Sequence, residues 1–97
     1  MINEHAIVRI DPRDHDAFEA AVRGAFAIIE AAPGCHGAEL RPQHEDHAIY
    51  LLTVRWTSVD AHLRFRQTPL FEQWRTATHP FYVVAPEVTH FLEPIER

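Results

Sequence analysis

Lysine is absent from this 97-residue chain: all nine basic residues are arginine, set against fourteen acidic ones for a formal net charge of -5. No basic run exists, which removes the electrostatic footprint that nucleic acid or an anionic membrane would need. Cysteine occurs once, at Cys35, so no internal disulfide can form. Long apolar runs are also missing. None is longer than Ala48-Ile49-Tyr50-Leu51-Leu52, which is far too short to span a bilayer. The first residues lack a charged start followed by an apolar core, so no export signal is visible and a cytoplasmic protein is expected. Repeats, low-complexity stretches and linkers are absent too. What remains is 46% hydrophobic and 24% charged, an ordinary globular balance. Its length fits one domain over residues 1–97, of modest stability unless it oligomerises. Eight histidines are the one unusual count.

The pattern divides into seven elements. Ala6 to Ile10 reads as a strand. Asp11-Pro12-Arg13-Asp14 opens a helix, with a capping carboxylate, a proline suited to the first turn and an acid at the positive end. Phe18, Val22, Ala25, Phe26 and Ile29 then share one helical face. Ala32-Pro33-Gly34 stops that helix. Cys35 to Arg41 is a second strand, Pro42 to His47 a polar turn, and Ala48 to Trp56 a third strand. The third is apolar on both faces, with Tyr50, Leu52, Val54 and Trp56 on one and Ile49 and Leu51 on the other. Such a strand is covered on both faces. The helices of one domain cover one side, so a second copy of the chain is expected on the other. Two short helices, Ser58–Arg66 and Pro69–Thr78, lead through a hydrophobic connector, Phe81 to Pro86, into a last strand, Glu87–Glu93. Strand, helix, strand, strand, helix, helix, strand predicts an α+β fold. It is the ferredoxin-like split βαβ, a four-stranded antiparallel sheet with helices on one face.

Pro33-Gly34-Cys35-His36-Gly37, Arg55-Trp56-Thr57-Ser58-Val59-Asp60-Ala61-His62, Thr68-Pro69-Leu70-Phe71 and Pro86-Glu87-Val88-Thr89-His90-Phe91 stand in the order and spacing of the antibiotic biosynthesis monooxygenase family. The chain resembles that family over nearly its whole length. The resemblance implies a dimeric α+β barrel, two sheets face to face, with a pocket in each subunit between sheet and helices. It implies oxygenases of quinols or anthrones that need no metal, flavin or haem. Trp56 matches the strand-end tryptophan of the anthrone oxygenases. Arg75 matches an arginine on their last helix thought to contact the substrate oxygen. His62 falls where those enzymes carry a tyrosine, and Leu52 replaces a pocket asparagine. The haem-degrading relatives fit less well, since their Asn, Trp and His fall on His5, Phe65 and Arg75.

Oxygen attacks electron-rich carbanions and phenolates but hardly touches neutral C–H bonds. A protein without a cofactor helps by taking the substrate proton and holding the anion. The first is worth on the order of 10² to 10⁴ in rate, the second on the order of 10² to 10³. His62 is the expected base and Arg75 the expected anion holder, its alternative being a surface ion pair with Glu72 or Glu19. Trp56 is either a pocket wall or core packing. Phe26, Leu52, Phe65 and Phe71 are expected apolar walls, and His5, His79 and Tyr82 polar lining. Cys35-His36 is not a dyad, because neighbours on a strand point to opposite faces. His44-Glu45-Asp46-His47 offers too few ligands for a zinc site.

The leading expectation is a cofactor-independent monooxygenase, a homodimer acting with molecular oxygen on a small electron-rich aromatic such as a quinol, anthrone or polyketide phenol. A dimer that holds a small aromatic without turnover is the alternative. A haem-binding protein, with His62 or His79 as ligand, is a third.

Overall fold

A computed structural model describes residues 1–97. Strand β1 spans Ile2–Arg9, helix α1 His15–Glu30, β2 Cys35–Pro42, β3 Ile49–Trp56, α2 Val59–Phe65, α3 Pro69–Thr78 and β4 Glu87–Phe91. Single 3-10 turns at Pro12–Asp14 and His79–Phe81 lead into α1 and out of α3. The sheet order is β2-β3-β1-β4, with every neighbouring pair antiparallel, and all helices pack on one face: the expected ferredoxin-like arrangement. The strand boundary differs most at β1, which starts at Ile2 rather than Ala6 because it pairs along its whole length with β3. The last strand is shorter than expected and ends at Phe91.

Two-residue alternation sorts the sheet. Val8, Ala6 and Glu4 of β1 lie on the helix side with Tyr50, Leu52, Val54 and Trp56 of β3, all buried. Phe18, Val22, Ala25 and Ile29 of α1 close over them. Capping fixes the two short helices. The Ser58 hydroxyl accepts from the Ala61 N–H, and the Thr68 hydroxyl accepts from the Phe71 N–H. The turn before β2 is tied to the start of α2. Gly34 has φ of 87°, its carbonyl accepts from the Thr57 N–H at 2.8 Å, and a Cβ there would stand 2.7 Å from the Ala61 methyl. Only glycine meets both the left-handed backbone and this approach. On the opposite face of the sheet Ile7, Ile49 and Leu51 are half-buried, and no helix of the chain covers them.

Candidate active site

Register builds the site. Glu4 of the central strand β1 pairs with Val54 of β3 on one side and His90 of β4 on the other. Trp56 lies diagonal to Glu4 on the same face, since it pairs with Ile2. The Trp56 indole Nε1–H donates to Glu4 Oε1 at 2.9 Å. His62, on the face of α2 turned to the sheet, stacks on the Trp56 ring with centroids 5.2 Å apart. Its Nε2 stands 3.3 Å from the same Glu4 oxygen. Its Nδ1 shares a 2.8 Å hydrogen bond with His90 Nε2. Trp56, Glu4, His62 and His90 therefore lie in line, hydrogen-bonded at Trp56–Glu4 and at His62–His90, with His62 and Glu4 in close approach between them. Glu4 is 6% exposed, His62 5% and Trp56 fully buried, whereas His90 is only half-buried.

On the other side of Glu4 is a cavity of about 70 Å³. Leu52, Phe65, Phe71 and Trp74 give it apolar walls; Arg66, His79 and Tyr82 give it polar ones. Both contacts to the Glu4 carboxyl fall on Oε1, and the residue itself lines the cavity. The Arg66 guanidinium lies over the Phe71 ring, 5.9 Å from its centroid. Its positive charge reaches Glu4, His62 and His79.

Burial governs the titration of this cluster. It raises Glu4 above the usual carboxylate value, against the pull of the Trp56 N–H and the Arg66 charge. It holds His62 down to about 4, helped by the charges of His90 and Arg66. Burial lowers His79, with Arg75 and Arg66 adding to it, and raises the Tyr82 phenol. Burial thus disfavours the charged forms of Glu4, His62, His79 and Tyr82 alike. A neutral His62 between a carboxyl group and a second imidazole can hand protons on in either direction, because each ring nitrogen is donor in one tautomer and acceptor in the other.

Of the residues expected from sequence, Leu52, Phe65, Phe71, His79 and Tyr82 line the cavity. Trp56 and His62 stand behind it, in contact with Glu4. Three are placed elsewhere. Arg75 is on the outer face of α3, its side chain 52% exposed and paired with Glu72. His5 follows Glu4 along an extended strand, so alternation puts it on the far face, where its ring packs on Phe91. Phe26 lines a separate groove between α1 and β2 with Val22, Leu40 and Tyr50. Glu4, His90 and Arg66 take part without having been singled out. Counting back from Val8 and Ala6 in steps of two reaches Glu4, and counting on from Val88 reaches His90. Arg66 follows His62 by one helical turn and so shares its face. No three His, Cys, Asp or Glu side chains gather as a metal site.

The family model for antibiotic biosynthesis monooxygenases matches residues 1–77. The uncharacterized protein YczJ of Bacillus subtilis (strain 168) is 33% identical over 92 residues, covering 94% of this chain and 97% of YczJ. The crystal structure of a Bordetella bronchiseptica protein, provisionally named an antibiotic biosynthesis monooxygenase, is 34% identical. It superposes with a TM-score of 0.93 over 97% of both chains. The fold extends to Rv0793 of Mycobacterium tuberculosis, 20% identical with a TM-score of 0.76, over 99% of this chain and 96% of that one. A sequence match across most of the chain and the shared sheet order agree: the chain belongs to the antibiotic biosynthesis monooxygenase family.

Proposed function

We propose that this protein is a cofactor-independent monooxygenase for a single-ring hydroquinone or related phenol, with Glu4 as the base. One observation carries the reading: a carboxyl group lies almost wholly out of water, hydrogen-bonded on one oxygen by Trp56 with His62 close beside it, and it lines a largely apolar cavity. A base so placed is oriented and of raised basicity, and both properties suit proton abstraction from a phenol. Arg66 takes the anion-holding role, in place of the expected Arg75. Its planar fork suits a phenolate oxygen.

The chemistry balances without a further reactant. Glu4 accepts the O–H proton, and the phenolate gives one electron to O2. The resulting superoxide and aryl radical join as a ring-bound peroxide. Glu4 returns the proton to the outer oxygen, and as the O–O bond breaks the ring carbon that bears the peroxide loses its own hydrogen as a proton, the C–H pair becoming the new C=O and the hydroxide leaving as water. Overall the hydroquinone gives up two hydrogens and four electrons, one oxygen atom enters the ring, and the other leaves as water. A cavity that holds benzene measures about 150 Å³. The 70 Å³ here is smaller, so the roof of Phe71, His79, Tyr82 and Pro86 opens for entry. One ring is favoured over three, and a haem has no room.

The same size supports one other reading, a dimer that holds a small aromatic without turning it over. The uncovered face with Ile7, Ile49 and Leu51 favours a homodimer built sheet against sheet. A single free thiol, Cys35, suits the reducing cytoplasm.

Oxygen uptake by metal-free protein across a panel of monocyclic hydroquinones tests the proposal. Uptake should exceed buffer and fall on the order of 10² or more in Glu4→Gln. A hydroquinone that raises the melting temperature without being consumed overturns it in favour of the binding dimer.

A further inference from the structure

We propose that Glu4 exchanges its proton with bulk water through His62 and His90, by a paired reversal of the two imidazole tautomers, and not through the cavity mouth. The reaction above returns the abstracted proton to its product, so it sets no protonation state for the next cycle. Something else must return a stray proton, or restore a lost one, to a carboxyl group that is only 6% exposed. The geometry supplies the route on the side of Glu4 away from the cavity.

The His62–His90 link is a hydrogen bond, and His62 Nε2 stands 3.3 Å from Glu4 Oε1, within reach of one as the ring or the carboxyl turns. Between His62 Nδ1 and His90 Nε2, at 2.8 Å, only one ring can donate. When Glu4 is ionised, His62 carries its hydrogen on Nε2, toward the carboxylate, and His90 carries its own on Nε2, toward His62. When Glu4 is protonated, the carboxyl O–H points at His62 Nε2. His62 then donates from Nδ1, and His90 holds its hydrogen on Nδ1, toward the outside. The two arrangements differ by one proton. Passing between them moves three hydrogens one step each and puts no charge on the buried imidazole. That matters because His62 resists charging in this site. His90 is half-buried on the edge strand β4, so the chain ends where water can reach it. His62 and His90 are positioning residues here; neither lines the cavity.

The groups facing Glu4 are consistent with this route. Trp56 of β3 only donates. Arg66 after α2 keeps its protons. His79 and Tyr82, beyond α3, line the cavity with no hydrogen bond to Glu4, and His79 stacks on Tyr82 with centroids 4.6 Å apart. Of the neighbours, only His62 can both give and accept a proton in contact with the carboxyl.

The inference rests on Glu4 as the base for its use, but not for its detection. Long-range proton–nitrogen correlation spectra of the full chain, labelled in histidine nitrogens and glutamate carboxyl carbon, read tautomers and the Glu4 charge together. As pH rises, His62 should pass from the Nδ1–H to the Nε2–H form, and His90 should follow, at the same midpoint as the Glu4 carboxyl shift. His90→Gln keeps a hydrogen-bond partner for His62 but cannot relay a proton. It should turn one averaged set of His62 signals into two slowly exchanging sets. Independent titration of the two rings as imidazolium, with Glu4 unmoved, overturns the relay. So does an unchanged His62 spectrum in His90→Gln. Paired tautomers without oxygen uptake leave the relay standing and remove the oxygenase reading. Uptake that depends on Glu4, with unpaired tautomers, does the reverse.

Discussion

Glu4 and His62 should give the folding stability opposite pH slopes, and two single substitutions should separate them. His62 titrates near 6.5 when unfolded and at about 4 in the fold. Between those values the unfolded chain binds a proton that the folded chain refuses, so stability falls as pH drops from 6.5 toward 4. A fall from 6.5 to about 4, at about 1.4 kcal/mol for each tenfold change in proton affinity, is worth about 3 kcal/mol. With side-chain exposure of 7%, solvent screening takes little from it. Glu4 works the other way. Its folded value lies above 4.5, so the folded chain keeps a proton that the unfolded chain has lost. Stability therefore falls as pH rises from 4.5 through the raised value, by about 1.4 kcal/mol for each unit of the shift. In the wild type the two partly cancel in weak acid. His62→Phe keeps a ring against Trp56 and removes the titration, so its stability should climb toward pH 4.5. Glu4→Gln leaves the histidine alone, so its stability should fall by about 3 kcal/mol from pH 6.5 to 4. Urea denaturation at fixed protein concentration, in steps of pH, measures both. The comparison is of slopes, so the fixed cost of each substitution drops out. Profiles for the two variants that run parallel to the wild type would refute the reasoning.

Trp56→Phe deletes the N–H that holds Glu4. It should cost about 1.5 to 3 kcal/mol in denaturation, the range for a hydrogen bond to a charged group. It should also move the Glu4 carboxyl midpoint further up, since that donor lowers it. Gly34→Ala meets both a φ of 87° and the Ala61 methyl at 2.7 Å. It should destabilise by about 1 to 3 kcal/mol in thermal or urea unfolding, and adding Ala61→Gly should recover the part due to contact. Arg66→Ala should lower oxygen uptake on the order of 10². Arg75→Ala, which breaks only an exposed pair with Glu72, should leave it unchanged.

The scaffold was legible because its signals are local. Asp11-Pro12, Pro33-Gly34, Ser58 and Thr68-Pro69 mark helix ends by capping and backbone restriction. The two-faced β3 marks a central strand, and the three helices and four strands occur in the expected order, with β1 starting earlier and β4 ending sooner than these signals put them. Of the expected apolar walls, Leu52, Phe65 and Phe71 line the cavity, whereas Phe26 faces the groove between α1 and β2. The polar site was harder because register decides it. Glu4 lies outside an apolar run read as starting at Ala6, and only its pairing with Val54 and His90 draws it into the sheet. Moving the start of the strand changes which of Glu4 and His5 is noticed, though alternation allows only one of them on the helix side. Arg75 and Arg66 posed a rotation problem. Both follow aromatic residues on short helices, but α3 turns Trp74 into the core and so turns Arg75 outward.

The division of labour within the fold follows from where rigidity lies. Glu4 sits on β1, which is hydrogen-bonded along both edges, by β3 and by β4. Its position is set by two registers at once, and a slip of one residue would exchange it with His5 and put the wrong side chain in the cavity. The walls opposite come from α3, the turn His79–Phe81 and the connector into β4, where Val83 and Val84 are exposed and few backbone hydrogen bonds hold the chain. Regions with few buried contacts open at the lowest free energy. A substrate larger than 70 Å³ therefore enters by moving the roof, while the carboxyl, its indole and its imidazole stay fixed beneath it. On the proposed function, such a site would close around a substrate without displacing Glu4, the placement that proton abstraction requires.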